Sequence, residues 1–346
     1  MSTPLKRPLP ISLTSIVDIP KDLSPLDIAI RLRDGEVLRI VEHYGKGVNI
    51  LSALQKLLRP PVPTSGYQAR LAFQQRFRFV AKRLVVSVNK QQIQLPGFGA
   101  IGFFQELYPE RDSFLLPFID VQELYGAWKK YKEGVYFPVL GYHIFPYFGT
   151  YAPTRVSHLE LFATWLHAYK GAKNYAIDVG TGCGILAFML SKQRFNKVTA
   201  TDNNPNSIHS VKNELQRPEK SAYPIDAVCC DLLEETTDNP DLIVFNPPWM
   251  KGDPDSLIDG ALYFKQGLFS RFFTQAYRRL SPTGRLVILF SNIIQLVQPK
   301  VPHPIVNELK KGRFSLMQKM QRKVKPSGKN QRTKEKVELW ILVKNP

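Results

Sequence analysis

The chain has 346 residues, 44% apolar and 22% charged, which is enough for two or three domains with their own cores and excludes wholesale disorder. Three cysteines (Cys183, Cys229 and Cys230) rule out a disulfide scaffold, and no run of about 18 apolar residues is available for a membrane span. The net charge is +18, concentrated at the end of the chain, where residues 296–346 carry thirteen Lys and Arg against three Asp and Glu. Such a field favours a polyanionic partner, above all nucleic acid, with a solvated basic face as the plainer alternative. The odd thiol count and the proline-broken N-terminus point to a reducing, cytoplasmic location.

In chain order, residues 1–23 are rich in proline and polar residues and read as a flexible arm. Residues 24–125 form a mainly helical accessory domain, a candidate for substrate recognition. Helical spacing runs through Leu26, Ile28, Ile30, Val37, Leu38, Val41, Ile50, Leu51, Leu54 and Leu58, and prolines 60, 61 and 63 close that unit. A further helix over 67–83 interleaves Arg70, Arg76, Arg78, Lys82 and Arg83 with Phe73, Phe77 and Phe79. That pattern suits a base-stacking face, or more simply a buried aromatic stripe beside a wet basic one. The runs 84–88 and 114–118 read as strands or buried connectors.

Residues 126–346 form the second domain. A helix over 157–169 precedes strands at 175–179, 197–201, 227–230, 242–245 and 285–290. Helices separate them, through 191, over 205–215 and over 269–280. This alternation calls for an α/β fold, with a mostly parallel, Rossmann-like sheet covered on both faces. Runs at 314–324 and 337–343, joined by a basic loop, read as a hairpin added to the sheet edge.

The sharpest signal is Asp178-Val-Gly180-Thr181-Gly182-Cys183-Gly184 between a strand and a helix. Glycines there let backbone N–H groups approach a ligand without interference from Cβ. Asp202 ends the next strand, where a carboxylate can accept both hydroxyls of a ribose. The spacing is G-x-G-x-G with Ile185 following, which departs from the dinucleotide fingerprint and disfavours a nicotinamide cofactor. A later strand ends in Asn246-Pro247-Pro248-Trp249, facing the same crevice. The Asn246 oxygen and the Pro247 carbonyl make two acceptors, matched to the two hydrogens of a planar –NH2 group, and Trp249 offers a flat face for stacking. A proline turn with a packed Trp is the plainer reading.

These residues resemble class I S-adenosylmethionine-dependent methyltransferases of the amino-methylating group, which includes nucleobase N-methyltransferases and release-factor glutamine methyltransferases. The likeness covers about residues 145–346. It implies a seven-stranded class I methyltransferase sheet and S-adenosyl-L-methionine as cofactor, held by Asp178, Gly180, Thr181, Gly182, Gly184, Asp202, Asn203, Asp231 and Asn246. In it the glycine loop holds the methionine part, Asp202 the ribose and Asp231 the adenine amino group. Asn246, Pro247, Pro248 and Trp249 form the catalytic set, and Tyr151, Arg155, Lys323, Lys325 and Lys329 are substrate-binding candidates. The stretch Gly260 to Leu268 is similar to the release-factor enzymes. Those enzymes, however, carry Tyr after the prolines and a P-R-P-E-T-E segment where this chain has Tyr151-Ala-Pro-Thr-Arg155.

The function implied is methyl transfer to a planar exocyclic or amide nitrogen, with an RNA base as the first acceptor. The alternative acceptor is a glutamine of a translation factor or ribosomal protein. A reading of another class is a non-catalytic module that binds cofactor and RNA. No metal and no membrane partner are expected: the six histidines (43, 143, 158, 167, 209 and 303) lack ligand spacing and read as structural, and Cys183 reads as a small turn residue.

Overall fold

The computed structural model describes residues 3–12, 15–60, 67–237, 239–252, 259–324 and 334–346. The chain divides into two compact units, Arg7–Lys129 on the one hand and Met1–Lys6 with Lys130–Pro346 on the other.

The Arg7–Lys129 unit contains β1 (Val17–Asp18), α1 (Pro25–Arg33), β2 (Leu38–Arg39), α2 (Tyr44–Leu58), α3 (Tyr67–Ala81), β3 (Leu84–Asn89), β4 (Gln92–Ile93), α4 (Phe104–Leu107) and β5 (Ser113–Pro117), and most of α5 (Phe118–Glu133). Helix content dominates, but a five-stranded sheet in the order β1-β2-β3-β4, with β5 also on β3, runs through it. Leu38, expected on a helix, lies instead in a strand. The Ser24 hydroxyl caps α1 at its start, and Gly35 at φ +114° turns the chain out of it, freeing Leu38 and Ile40 to donate to the Arg83 and Val85 carbonyls. On α3, Phe73 and Phe77 are half-buried and Phe79 is exposed under the Arg83 guanidinium, so the aromatic residues are neither a full core stripe nor a continuous platform.

Residues 1–23, read as a flexible arm, find fixed partners where they are described. Lys6 bonds Asn206 within one unit. Within the other, Tyr108 Oη donates to the Pro8 carbonyl at 2.7 Å, Ile11 N–H to Leu115 at 2.9 Å, and β1 pairs with β2. Main-chain groups that meet buried acceptors stay there, because an unpaired buried group is costly.

In the second unit, β6 (Val135–Phe137) and β7 (Tyr142–Ile144) form a hairpin, followed by α6 (Ser157–Ala168), β8 (Tyr175–Val179), α7 (Ile185–Lys192), β9 (Lys197–Asp202), α8 (Pro205–Leu215), β10 (Ile225–Cys229) and β11 (Leu242–Phe245). Then come β12 (Met250–Lys251), β13 (Tyr263–Phe264), α9 (Leu268–Arg279), β14 (Arg285–Ser291), α10 (Ile293–Val297), α11 (Pro304–Leu309), β15 (Phe314–Lys323) and β16 (Lys336–Lys344). The main sheet has seven strands in the order β10-β9-β8-β11-β14-β16-β15. The first five are parallel, and β16 runs antiparallel between β14 and β15. This is the doubly wound sheet expected, with the hairpin at its edge.

Each central strand is apolar on both faces, and its residues alternate between two cores. Ala176, Leu242, Val244, Val287 and Leu289 pack with α6, α7 and α8. Ile177, Val179, Ile243, Phe245, Leu286 and Ile288 pack with Phe269, Phe272 and Phe273 of α9. Burial on both sides selects near-continuous apolar runs, each side chain contributing about 1.5–3 kcal/mol. After β8 the chain winds outward to β9 and β10, then returns to β11 on the other side. The carboxyl ends of β8 and β11 therefore open a crevice at the switch in strand order, where ligands of such sheets bind.

Candidate functional site

At that crevice lies a cavity of about 500 Å³, within the range of small-ligand pockets. Its floor is the glycine loop. Gly180, Gly182 and Gly184 all have φ between +55° and +87°. A Cβ on Gly182 would come 3.0 Å from the Tyr151 carbonyl, and one on Gly184 2.7 Å from the Phe188 ring. Only glycine closes this turn, which leaves the loop backbone facing the cavity.

Asp178 organises the loop from beneath. Fully buried, its Oδ2 accepts the Thr181 hydroxyl at 2.6 Å and the Ala187 N–H at 3.0 Å, tying the strand end to the first turn of α7. It does not line the cavity, nor does Gly184. Expected as direct cofactor ligands, both instead shape the loop that Gly180, Thr181 and Gly182 present. Burial pushes the Asp178 carboxyl up to about 7, against the pull of Thr181 and Ala187, and the nearby Asp202 charge adds to the rise.

Asp202, at the end of β9, accepts the Gly182 N–H at 3.0 Å on one oxygen and the Asn204 N–H at 2.8 Å on the other. Each oxygen keeps a lone pair for a ligand. Burial raises its carboxyl above the usual range, opposed by those N–H groups, the Ser207 hydroxyl and the charge on Lys6. Asn203 and Asp231 also line the cavity. Asp231 holds an ion pair with Arg271 from α9, a cavity residue that local sequence reading did not single out because it lies on a separate helix. Leu232 and Phe245 supply apolar wall between the carboxylates.

Asn246, at the end of β11, and Pro248 line the opposite side; Pro247 is buried behind them. Trp249 does not line the cavity. Its indole N–H donates to Asn246 Oδ1 at 3.2 Å, and its ring meets His158 edge to face, with centroids 5.3 Å apart. The indole expected to stack on a ligand thus lies off the cavity lining and meets Asn246 through its N–H edge. His158 is buried, and neither ring nitrogen has a hydrogen-bond partner among the described residues, so burial lowers its pKa to about 4. Beyond Trp249, β12 and β13 pair in a short parallel ladder that brings Tyr263 to Gln266 over the cavity.

Tyr151 lines the cavity, and its carbonyl accepts the Cys183 N–H at 3.2 Å. Arg155 does not; it reaches Glu335 at 3.2 Å instead. Lys323 is exposed at the end of β15, away from the cavity lining, while Lys325 and Lys329 lie outside the described residues. Cys183 is buried, its thiol pushed up to about 12, which suits a packed turn residue and not a nucleophile. Among the described residues no cluster of His, Cys, Asp and Glu could hold a metal, and no helix is long and apolar enough to cross a membrane. His43 and His303 instead cap α2 and α11.

Residues 159–300, which carry the glycine loop, Asp202, Asp231 and Asn246, match the family described as methyltransferase small domain. The chain is 28% identical over 124 residues to a Methanocaldococcus jannaschii protein provisionally named a protein N5-glutamine methyltransferase, covering 34% of this chain and 61% of that one. It is 28% identical over 144 residues to the ribosomal protein L11 methyltransferase of Thermosipho melanesiensis, covering 38% of this chain and 55% of that one. The chain therefore spans little more than half the length of these curated relatives. A solved ribosomal protein L11 methylase from Lactobacillus delbrueckii subsp. bulgaricus aligns at 22% identity and a TM-score of 0.38, over 57% of this chain and 82% of that one.

Proposed function

We propose that this chain transfers a methyl group from S-adenosyl-L-methionine to the nitrogen of a planar exocyclic amine or amide. The observation that carries the reading is Asn246, held by Trp249 on the lip of a cavity whose floor and far wall are the glycine loop and Asp202. When bound, S-adenosylmethionine supplies a methyl group on positively charged sulfur, an electrophile that needs no activation by the protein. Gly180 to Gly182 would offer backbone to its methionine part, Asp202 and Asn203 would accept from its ribose hydroxyls, and Asp231 would accept from its adenine amino group. Leu232 and Phe245 would supply apolar surface to its adenine ring.

An amide or aromatic amine nitrogen is a poor nucleophile, because its lone pair is delocalised. Asn246 Oδ1, on the cavity wall, would accept from one of its hydrogens and turn the lone pair toward the methyl group, while Pro247, buried and off the lining, would hold the Asn246 backbone in place. The gain is orientation plus electrostatics, with no thiol or metal called for.

We take the acceptor to be an RNA base, on the +18 charge and the basic C-terminal segment. A second reading, a glutamine of a translation protein, is favoured by the names of the two relatives. Labelled S-adenosylmethionine added to an extract of cells lacking the protein, with Asn246→Ala alongside, separates them. Label in RNA that is lost with the variant supports the first reading. Label in a single protein band transfers the same chemistry to glutamine. Cofactor binding with no label in any fraction overturns catalysis in favour of a binding module.

A further inference from the structure

One wall of the cavity comes from far away in the sequence. Lys6 lines it beside Asp202, Asn203, Asn204 and Ser207. The residue is anchored by a single side chain, Asn206, which is fully buried in the first turn of α8. Asn206 Oδ1 accepts the Lys6 N–H at 2.7 Å, and its Nδ2 donates to the Lys6 carbonyl and the Phe148 carbonyl, both at 2.8 Å. One amide thereby satisfies both main-chain groups of Lys6, as a paired strand would, and uses both its own N–H donors in doing so. The same turn is braced by Asn204 Oδ1, which accepts the Asn206 N–H, and by the Thr150 hydroxyl on the Asn206 carbonyl. The Lys6 backbone is thus fixed to a residue four positions after Asp202, and its exposed side chain is among those that line the cavity.

We propose that Lys6 is a cofactor-binding residue that closes the ribose end of the cavity. A ribose hydroxyl has one proton to give and lone pairs to fill. Asp202, on one side, is an acceptor only; the Lys6 ammonium, on the other, is a donor only. A hydroxyl between them donates to the carboxylate and accepts from the ammonium, and both bonds are charge-assisted. The positive charge also favours the ionised form of Asp202, the form that accepts. The N-terminal segment, which packs with the unit that holds the cavity, is therefore part of the binding site.

This inference rests on the reading of the cavity as an S-adenosylmethionine site, and calorimetric titration of the full chain tests the two separately. S-adenosylmethionine and 2′-deoxy-S-adenosylhomocysteine are titrated into the wild type, Lys6→Met and Lys6→Arg, with S-adenosylhomocysteine as reference and thermal unfolding as the check on folding. Lys6→Met keeps the aliphatic stem and is expected to weaken S-adenosylmethionine and S-adenosylhomocysteine about tenfold, the worth of one charge-assisted bond. Lys6→Arg is expected to recover most of that loss, and the penalty of Lys6→Met should shrink for the deoxy ligand. Asn206→Ala, which releases the anchor, should reproduce the Lys6→Met loss. Equal affinity of Lys6→Met and wild type for S-adenosylmethionine overturns the role of Lys6 while leaving the cofactor reading intact. A wild type that binds none of the three ligands overturns the cofactor reading itself.

Discussion

Asn246 Oδ1 accepts the Trp249 indole N–H, which leaves it one lone pair for an acceptor's amine in the proposed reaction. Trp249 in turn is steadied by the His158 ring, so a chain of three side chains sets where that lone pair points. Trp249→Phe keeps the ring and removes the N–H. It should lower kcat about tenfold or more, with S-adenosylmethionine affinity within a factor of two of wild type, as expected when orientation alone is lost. A fall in cofactor affinity equal to the fall in kcat would place Trp249 in the cofactor site instead.

His158 makes a pH-dependent demand at the same place. Its pKa is lowered by burial to about 4 in the fold, while an unfolded histidine titrates near 6.5. Between those values the unfolded chain binds the extra proton, so the His158 contribution to stability falls as pH drops from about 6.5 to about 4. Asp178 works in the opposite sense: its raised pKa means the folded chain holds the proton more tightly, and stability falls as pH rises from about 4 to about 7. The two slopes oppose each other in the wild type. Removing one exposes the other, so His158→Phe should lose stability more steeply between pH 4 and 7 than wild type does. Chemical denaturation across that range reads the difference, and parallel curves would contradict it.

At the scale of elements, the site is a set of loop ends held by helices and strands, and the glycine loop shows how narrow the tolerance is. Gly184 stands at φ +87° with the Phe188 ring behind it, on the turn that opens α7. Gly184→Ala should cost about 1–2 kcal/mol in urea unfolding from the left-handed backbone alone, and more where its Cβ meets the Phe188 ring. A cost below about 0.5 kcal/mol would mean that the loop relaxes freely.

The elements readable from sequence were those that alternate apolar runs with helical spacing. The strands at 175–179 and 242–245, the helix over 205–215 and the terminal hairpin stand where the pattern places them, because each buries a complete face. Asp202 and Asn246 were readable for the same reason, each ending such a strand. What escaped depended on partners distant in the chain. Leu38 is a strand only because Arg83 and Val85 offer carbonyls to its neighbourhood. Arg271 meets Asp231 only once α9 packs on the sheet, and Lys6 reaches the cavity only through Asn206. Trp249 bonds Asn246 and meets His158, a pairing its own segment does not reveal, since nothing local says whether an indole faces a ligand or a neighbouring histidine.

At the scale of the whole molecule, the +18 charge is not all free to act on a partner. Near the C-terminus, Arg313 pairs with Glu308, Lys319 with Glu338 and Arg322 with Glu160, all within 3.0 Å. Lys323 is exposed, and with Lys325 and Lys329 it is the part of the tail expected to meet phosphate. If RNA is the acceptor, affinity should fall steeply with salt, and changing these three lysines to Gln should flatten the slope by about one unit for each phosphate contact removed. An unchanged slope would move the contact surface elsewhere on the molecule.

All of these expectations hang on what fills the cavity between the glycine loop and Asn246. The most direct measurement is equilibrium binding of S-adenosylmethionine to the full chain, wild type against Asp202→Ala and Asn246→Ala. The expected result is saturable binding by the wild type, a loss of tenfold or more with Asp202→Ala, where two charge-assisted bonds to ribose disappear, and near-wild-type binding with Asn246→Ala. No binding by a folded wild type, or NADH displacing S-adenosylmethionine at equal concentration, would contradict it.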